Sequence, residues 1–161
     1  MNILFFVESG HGNSALLTEQ LIALHKQHKK VCGILSTKEQ ESGLIDKLNS
    51  LLIPNYILPG LAEHQSFKKD AIQLKKIIEE QLIDVVHIQT NWELALIIYV
   101  KYILGVCRKF KMVYTFHAYR NNKRYKSYLV RVLLTFFLAF FVDKVICMCT
   151  SLKNSFRWLS Y

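Results

Sequence analysis

Proline is scarce in this chain of 161 residues, which holds only Pro54 and Pro59. That excludes proline-rich spacers, and the six glycines are too few and too scattered for a flexible linker. With no internal repeat either, residues 1–161 read as a single domain, long enough to bury a sizeable core. Cysteine is limited to Cys32, Cys107, Cys147 and Cys149, none in a Cys-x-x-Cys pair. No zinc site or disulfide framework is expected, and reduced thiols point to the cytoplasm. Long apolar runs are missing as well. The longest, Val132 to Val142, is broken by Thr135 and closed by Arg131 and Asp143. A bilayer span needs ~20 residues, so an interfacial helix on the inner face of the cell membrane is the most this run offers. Residues 2–7 are apolar but have no basic stretch before them and no cleavage site after them, so no signal peptide is expected. There is neither a Walker-type phosphate loop nor a G-x-S-x-G elbow. Acid is also short: 12 carboxylates against 21 lysines and arginines leave a net charge of +9. An excess of that size predicts an anionic partner.

Two strand ends stand out among what is present. Leu82 to His87 and Met112 to His117 are short apolar runs, each stopping at a histidine. In open α/β sheets ligands collect at the carboxyl ends of strands. Around these runs, strand and helix patterns alternate. Strands are expected at Asn2–Val7, Val31–Ser36 and Tyr56–Leu58, then up to His87, up to His117 and over Asp143–Cys149. Helical spacing links Leu17, Leu21, Leu24 and His28, and again Phe67, Ala71, Leu74, Ile78 and Leu82. Short helices are expected over 40–52 and after Ser151. An apolar helix is expected over 92–109, and an aromatic one reaches about Phe141. This alternation predicts an α/β fold, a Rossmann-like doubly wound and mostly parallel sheet with helices on both faces. Strands 4 to 6 are hydrophobic enough for burial on both sides.

The motifs appear in an order that resembles a known family. Met1 to Val7 precede a loop containing Gly10 and Gly12. Asp84-Val85-Val86-His87, Thr115-Phe116-His117 and Asp143-Lys144-Val145-Ile146 with Thr150-Ser151 follow. Together they resemble the N-terminal domain of family 4 glycosyltransferases, retaining enzymes of the GT-B fold. Ala118 stands where that family commonly has glycine. The resemblance implies a domain incomplete at its carboxyl end, followed in the full enzyme by a donor-binding domain with a Glu-x7-Glu signature. It implies transfer of a sugar from a nucleotide-sugar to a polysaccharide or lipid-linked acceptor, with this half shaping the acceptor side. No cofactor is implied.

His117 is the candidate catalytic residue. A strand-end imidazole can bind a sugar hydroxyl or phosphate, or move a proton near neutral pH. The candidate binding residues are Gly10, Gly12, Asn13, His87, Asn91, Thr115, Arg120, Lys123 and Ser151. Amides in a glycine loop at a helix start favour phosphate. His87 also reads as a structural histidine, and Thr90, Asn91 and Glu93 also read as a helix cap. His87, His117 and Asp84 match no metal-binding spacing, and no metal is expected.

Two rival readings remain. Gly10-His11-Gly12-Asn13-Ser14-Ala15 also matches a dinucleotide fingerprint, but strand 2 ends without the acidic residue that would hold the ribose. An NADP-dependent oxidoreductase domain is that alternative. A non-catalytic, membrane-associated module is the other, carried by Arg120, Lys123, Arg124, Lys126 and Arg131 beside the aromatic helix. The same helix, apolar nearly all round, also reads as core. No nucleic-acid-binding signature is present.

Overall fold

The computed structural model describes residues 1–7, 14–27, 30–36, 43–63, 66–116 and 136–147. Its strands are β1 (Asn2–Val7), β2 (Lys30–Leu35), β3 (Asn55–Ile57), β4 (Val85–Ile88), β5 (Lys111–Phe116) and β6 (Lys144–Cys147). They form one six-stranded sheet in the order β3-β2-β1-β4-β5-β6. Every pairing is parallel. The expected α/β class and Rossmann-like architecture are therefore what the chain adopts.

Alternation along the strands builds a core on each face of the sheet. Phe5 and Val7 of β1 join Val31 and Leu35 of β2 under α1 (Ser14–Lys26) and α2 (Leu44–Ser50), where Leu17, Leu21 and Leu48 are buried. Leu4 and Phe6 face the other way, with Cys32 and Ile34. They pack under α4 (Phe67–Glu80) and α5 (Asn91–Ile98), against Leu74, Ile78, Leu94 and Ile97. A strand buried on both sides must be apolar at every position, which is why β1 reads as an unbroken run.

Several boundaries differ from the sequence reading. Leu82 does not extend the α4 stripe; it sits in a turn with φ 52° and is exposed. A short helix, α3 (Gly60–Glu63), follows the Pro59-Gly60 turn. The helix expected over 92–109 is shorter. α5 gives way to a π-helical turn, Tyr99–Ile103, and the chain leaves it through Gly105 at φ 62°. β6 is an edge strand, with Ile146 40% exposed, so it is not buried on both sides. The aromatic helix, α6 over 136–141, is not core throughout: Leu138 is buried while Phe136, Phe137 and Phe140 are exposed.

The amino ends of the strands are tied by side chains. The Asn2 amide donates to Asp84 Oδ2 at 2.8 Å, and the Met112 amide donates to Asp143 Oδ2 at 2.7 Å. Arg108 pairs with Asp84 Oδ1 and also donates from Nε to the Ile83 carbonyl at 3.0 Å. Those contacts hold the Asp84 carboxyl below the usual carboxylate range, the Asn2 amide first and Arg108 next.

Candidate functional site

The strand order reverses at β1. The chain runs outward through β2 and β3 on one side, and through β4, β5 and β6 on the other. Such a reversal opens a crevice at the carboxyl ends of the two central strands. β1 ends there at Val7, β4 at Ile88 and β5 at Phe116.

Three of the candidate polar residues, His87, Asn91 and Thr115, lie at this edge. His87 lies opposite Phe5 of β1 and Val113 of β5. Thr115 is two residues beyond Val113, so it shares the face that His87 occupies. The register brings His87 Nε2 within 2.6 Å of Thr115 Oγ1. The bond serves either ring tautomer: the hydroxyl donates to a bare Nε2, or an Nε2–H donates to the hydroxyl oxygen. The Phe5 ring meets the imidazole edge-on, with centroids 4.7 Å apart. Thr115 is buried and His87 half-buried. The imidazole is thus fixed by a hydroxyl on one strand and an aromatic wall on another.

The turn after β4 is fixed as firmly. Thr90 caps α5, its Oγ1 accepting from the Glu93 amide at 3.3 Å. Glu93, fully buried, returns its Oε2 to the amides of Gln89 at 2.6 Å and Thr90 at 3.1 Å. This is a complete capping box. Of the two sequence readings of Thr90 and Glu93, the structure thus gives the cap. The cap sets Asn91 at the first turn of α5, where its Oδ1 accepts from the Tyr114 hydroxyl at 2.9 Å.

His87, Thr115 and Asn91 are therefore the sequence candidates placed at one edge of the sheet, with His87 and Thr115 in contact. Gly10, Gly12, Asn13, His117, Arg120, Lys123 and Ser151 lie outside the described residues. Asp84 sits at the opposite end of β4, ~10 Å from His87 at the usual strand rise, and its oxygens are occupied by Asn2 and Arg108. The sequence reading missed Tyr114 and Phe5, whose roles depend on cross-strand register. The Thr90-x-x-Glu93 spacing was the visible signal for the cap. Ser36, just past β2, was also unmarked: it is fully buried, and its Oγ has no hydrogen-bond partner among the described residues.

No family model matches the sequence, and no curated protein matches it. Solved structures do. The Anabaena protein Alr3699/HepE in complex with UDP and glucose is similar over 99% of this chain, with a TM-score of 0.66 and 17% identity. The same protein in complex with UDP gives 0.64 and 16%, again over 99% of this chain. In both cases this chain spans 41% of the other protein's length. At that identity the likeness is one of fold.

Proposed function

We propose that the chain is the acceptor-side half of a retaining GT-B glycosyltransferase similar to family 4. It would act with a carboxyl-terminal domain that holds the nucleotide-sugar donor. The acceptor is a polysaccharide or a lipid-linked saccharide, met at the cytoplasmic face of the cell membrane. The observation that carries this reading is the pairing of His87 with Thr115 at the strand-order reversal, in a fold shared along nearly the whole chain with a protein solved with UDP and glucose.

Each residue has a part in this reading. His87, Thr115 and Asn91 line the acceptor side, offering an imidazole, a hydroxyl and an amide to sugar hydroxyls. His117 follows the end of β5 and acts on the reacting sugar by hydrogen bonding and charge. Gly10, Gly12 and Asn13 follow β1 and present backbone amides to phosphate. Arg120, Lys123 and Ser151 complete the polar set, the two cations offsetting charge on the departing diphosphate. Such electrostatic stabilisation is usually the largest catalytic contribution. The strand order also suits a dinucleotide, but β2 ends at Leu35, followed by Ser36, with no carboxylate for a ribose.

The test joins this chain to a donor-binding domain supplied on a second polypeptide and follows radiolabel from nucleotide-sugars into acceptor. Transfer is expected only with both halves present. His117→Ala should lower it by ~10²-fold or more, the usual range for a positioned acid–base or hydrogen-bonding group, without unfolding the protein. Near-normal turnover in that variant removes His117 from the site.

A further inference from the structure

Two polar side chains are buried at one corner of the sheet without a bond. Ser36 follows β2 and is fully buried, and so is Asp70 near the start of α4. Neither the Ser36 hydroxyl nor either Asp70 carboxylate oxygen has a hydrogen-bond partner among the described residues. The Gly60 amide lies near the Asp70 carboxyl but outside hydrogen-bond geometry. Most buried polar groups in folded proteins are bonded, and an unpaired one lowers stability.

The fold sets the two at the same end of the sheet. Ser36 is two residues beyond Ile34, so it continues the face of β2 that packs under α4. Gln73, three residues along α4 from Asp70, donates from Nε2 to the Ile57 carbonyl at 3.2 Å, and Ile57 lies opposite Leu35. The first turn of α4 therefore stands at the carboxyl ends of β2 and β3, beside the end of β1. Phe67, three residues before Asp70, meets Trp92 of α5 edge-on, with ring centroids 5.3 Å apart. That contact ties the corner to the turn that carries Asn91.

The chemistry of the pair selects a ligand. A carboxylate accepts strongly from hydroxyls, and a serine hydroxyl either donates or accepts. A phosphate would be repelled by the carboxylate. A hard cation needs more oxygens than these two side chains supply, and the described residues hold no group of three metal-ligating side chains. Neighbouring hydroxyls on a sugar ring satisfy both groups.

We propose that Ser36 and Asp70 form a subsite for a sugar diol, which grips the acceptor beyond the reacting hydroxyl and sets which saccharide is taken. The inference rests on the reading of this crevice as the acceptor side. Both groups lie beneath the surface, so the sugar enters as the corner opens. Opening returns two unpaired polar groups to water, which lowers its cost.

The test measures stability and saccharide binding together on the full chain. Wild type, Ser36→Ala and Asp70→Asn are melted with and without methyl glucoside, galactoside and mannoside, and with deoxy derivatives lacking one hydroxyl. Without sugar, Ser36→Ala should raise Tm by about 2–4 °C, because it removes an unpaired buried hydroxyl. With sugar, the wild-type Tm should rise, and the size of the rise reports affinity. Ser36→Ala should weaken that affinity about fivefold and Asp70→Asn about tenfold or more. Both substitutions keep or reduce side-chain size, and unchanged circular dichroism confirms that the fold is kept. Gained stability with lost binding is a combination that a purely structural pair would not give. A Ser36→Ala variant less stable than wild type overturns the proposal, because its hydroxyl is then bonded in the folded protein. Wild-type affinity in both variants also overturns it; if sugar still shifts the His87 and Asn91 amides, the crevice keeps its function and only the subsite falls. No response of the wild type to any saccharide overturns the subsite and the acceptor-side reading together.

Discussion

His87 and Thr115, 28 residues apart in sequence, place Nε2 and Oγ1 2.6 Å from each other across two parallel strands. Neither could reach the other in a slipped register, since a one-residue shift turns one of them to the opposite face. Replacing Thr115 with valine keeps the shape and removes the hydroxyl. The lost bond should cost about 1 kcal/mol in urea unfolding. In ¹⁵N spectra of the imidazole ring, the His87 Nε2 signal should move. An unmoved signal shows that the bond does not form in solution.

Glu93 is the hinge of the turn that carries Asn91. Its carboxylate satisfies two amides from within the core, and alanine would leave both unpaired. Glu93→Ala should cost ~2 kcal/mol, and Thr90→Ala ~1 kcal/mol. In both variants the urea midpoint should fall while the slope is kept. The Tyr114–Asn91 bond should weaken with the cap, readable as faster exchange of the Tyr114 hydroxyl proton. A Glu93→Ala variant as stable as wild type contradicts the cap's role.

Asp84 gives a pH dependence of definite sign. Its folded pKa lies below the unfolded value, first through the Asn2 amide and then through Arg108. Its contribution is therefore present above the unfolded carboxylate pKa of about 3.9 and is lost as pH falls through the folded one. Asp84→Asn should lower Tm at pH 7, with the gap closing on acidification below the unfolded carboxylate pKa. A pH-independent gap would mean that the carboxylate's charge is not what stabilises this corner.

Asp70 should behave in the opposite way. It is fully buried on α4, and burial pushes its carboxyl up, against the Gly60 amide and the Lys69 charge. A raised folded pKa makes the ionised form costly above it, and stability recovers as pH falls through it. Asp70→Asn should therefore raise Tm at pH 7, with the advantage shrinking on acidification. A variant less stable than wild type at pH 7 contradicts this.

The strands were legible because parallel strands buried on both faces must be apolar throughout. Asn2–Val7 matches β1 residue for residue. The helix read over 92–109 was too long because an element apolar all round carries no period to mark its end. What ends it is a π-helical turn and the left-handed Gly105. Leu82 kept helical spacing by coincidence and sits in a turn. In the site, His87 could be read from the end of its apolar run, and Thr115 from the resemblance of Thr115-Phe116-His117 to a family motif. Phe5 and Tyr114 could not, because their partners lie across the sheet and depend on register. The aromatic run at 136–141 resembled core because composition does not say which side of a helix meets the sheet. Only Leu138 is buried there, while Phe136 and Phe140 face solvent.

The central claim is that sugars or their nucleotide donors meet this chain at the carboxyl ends of β1, β4 and β5. Amide NMR of the ¹⁵N-labelled chain tests it directly, titrated in turn with UDP-glucose, other nucleotide-sugars, saccharide acceptors and NADPH. The account predicts that a sugar ligand shifts the amides of His87, Asn91 and Thr115 and leaves Asp84 and Lys111 at the other end of the sheet unmoved. Shifts confined to Asp84 and Lys111, a response to NADPH alone, or no response to any sugar ligand would contradict it.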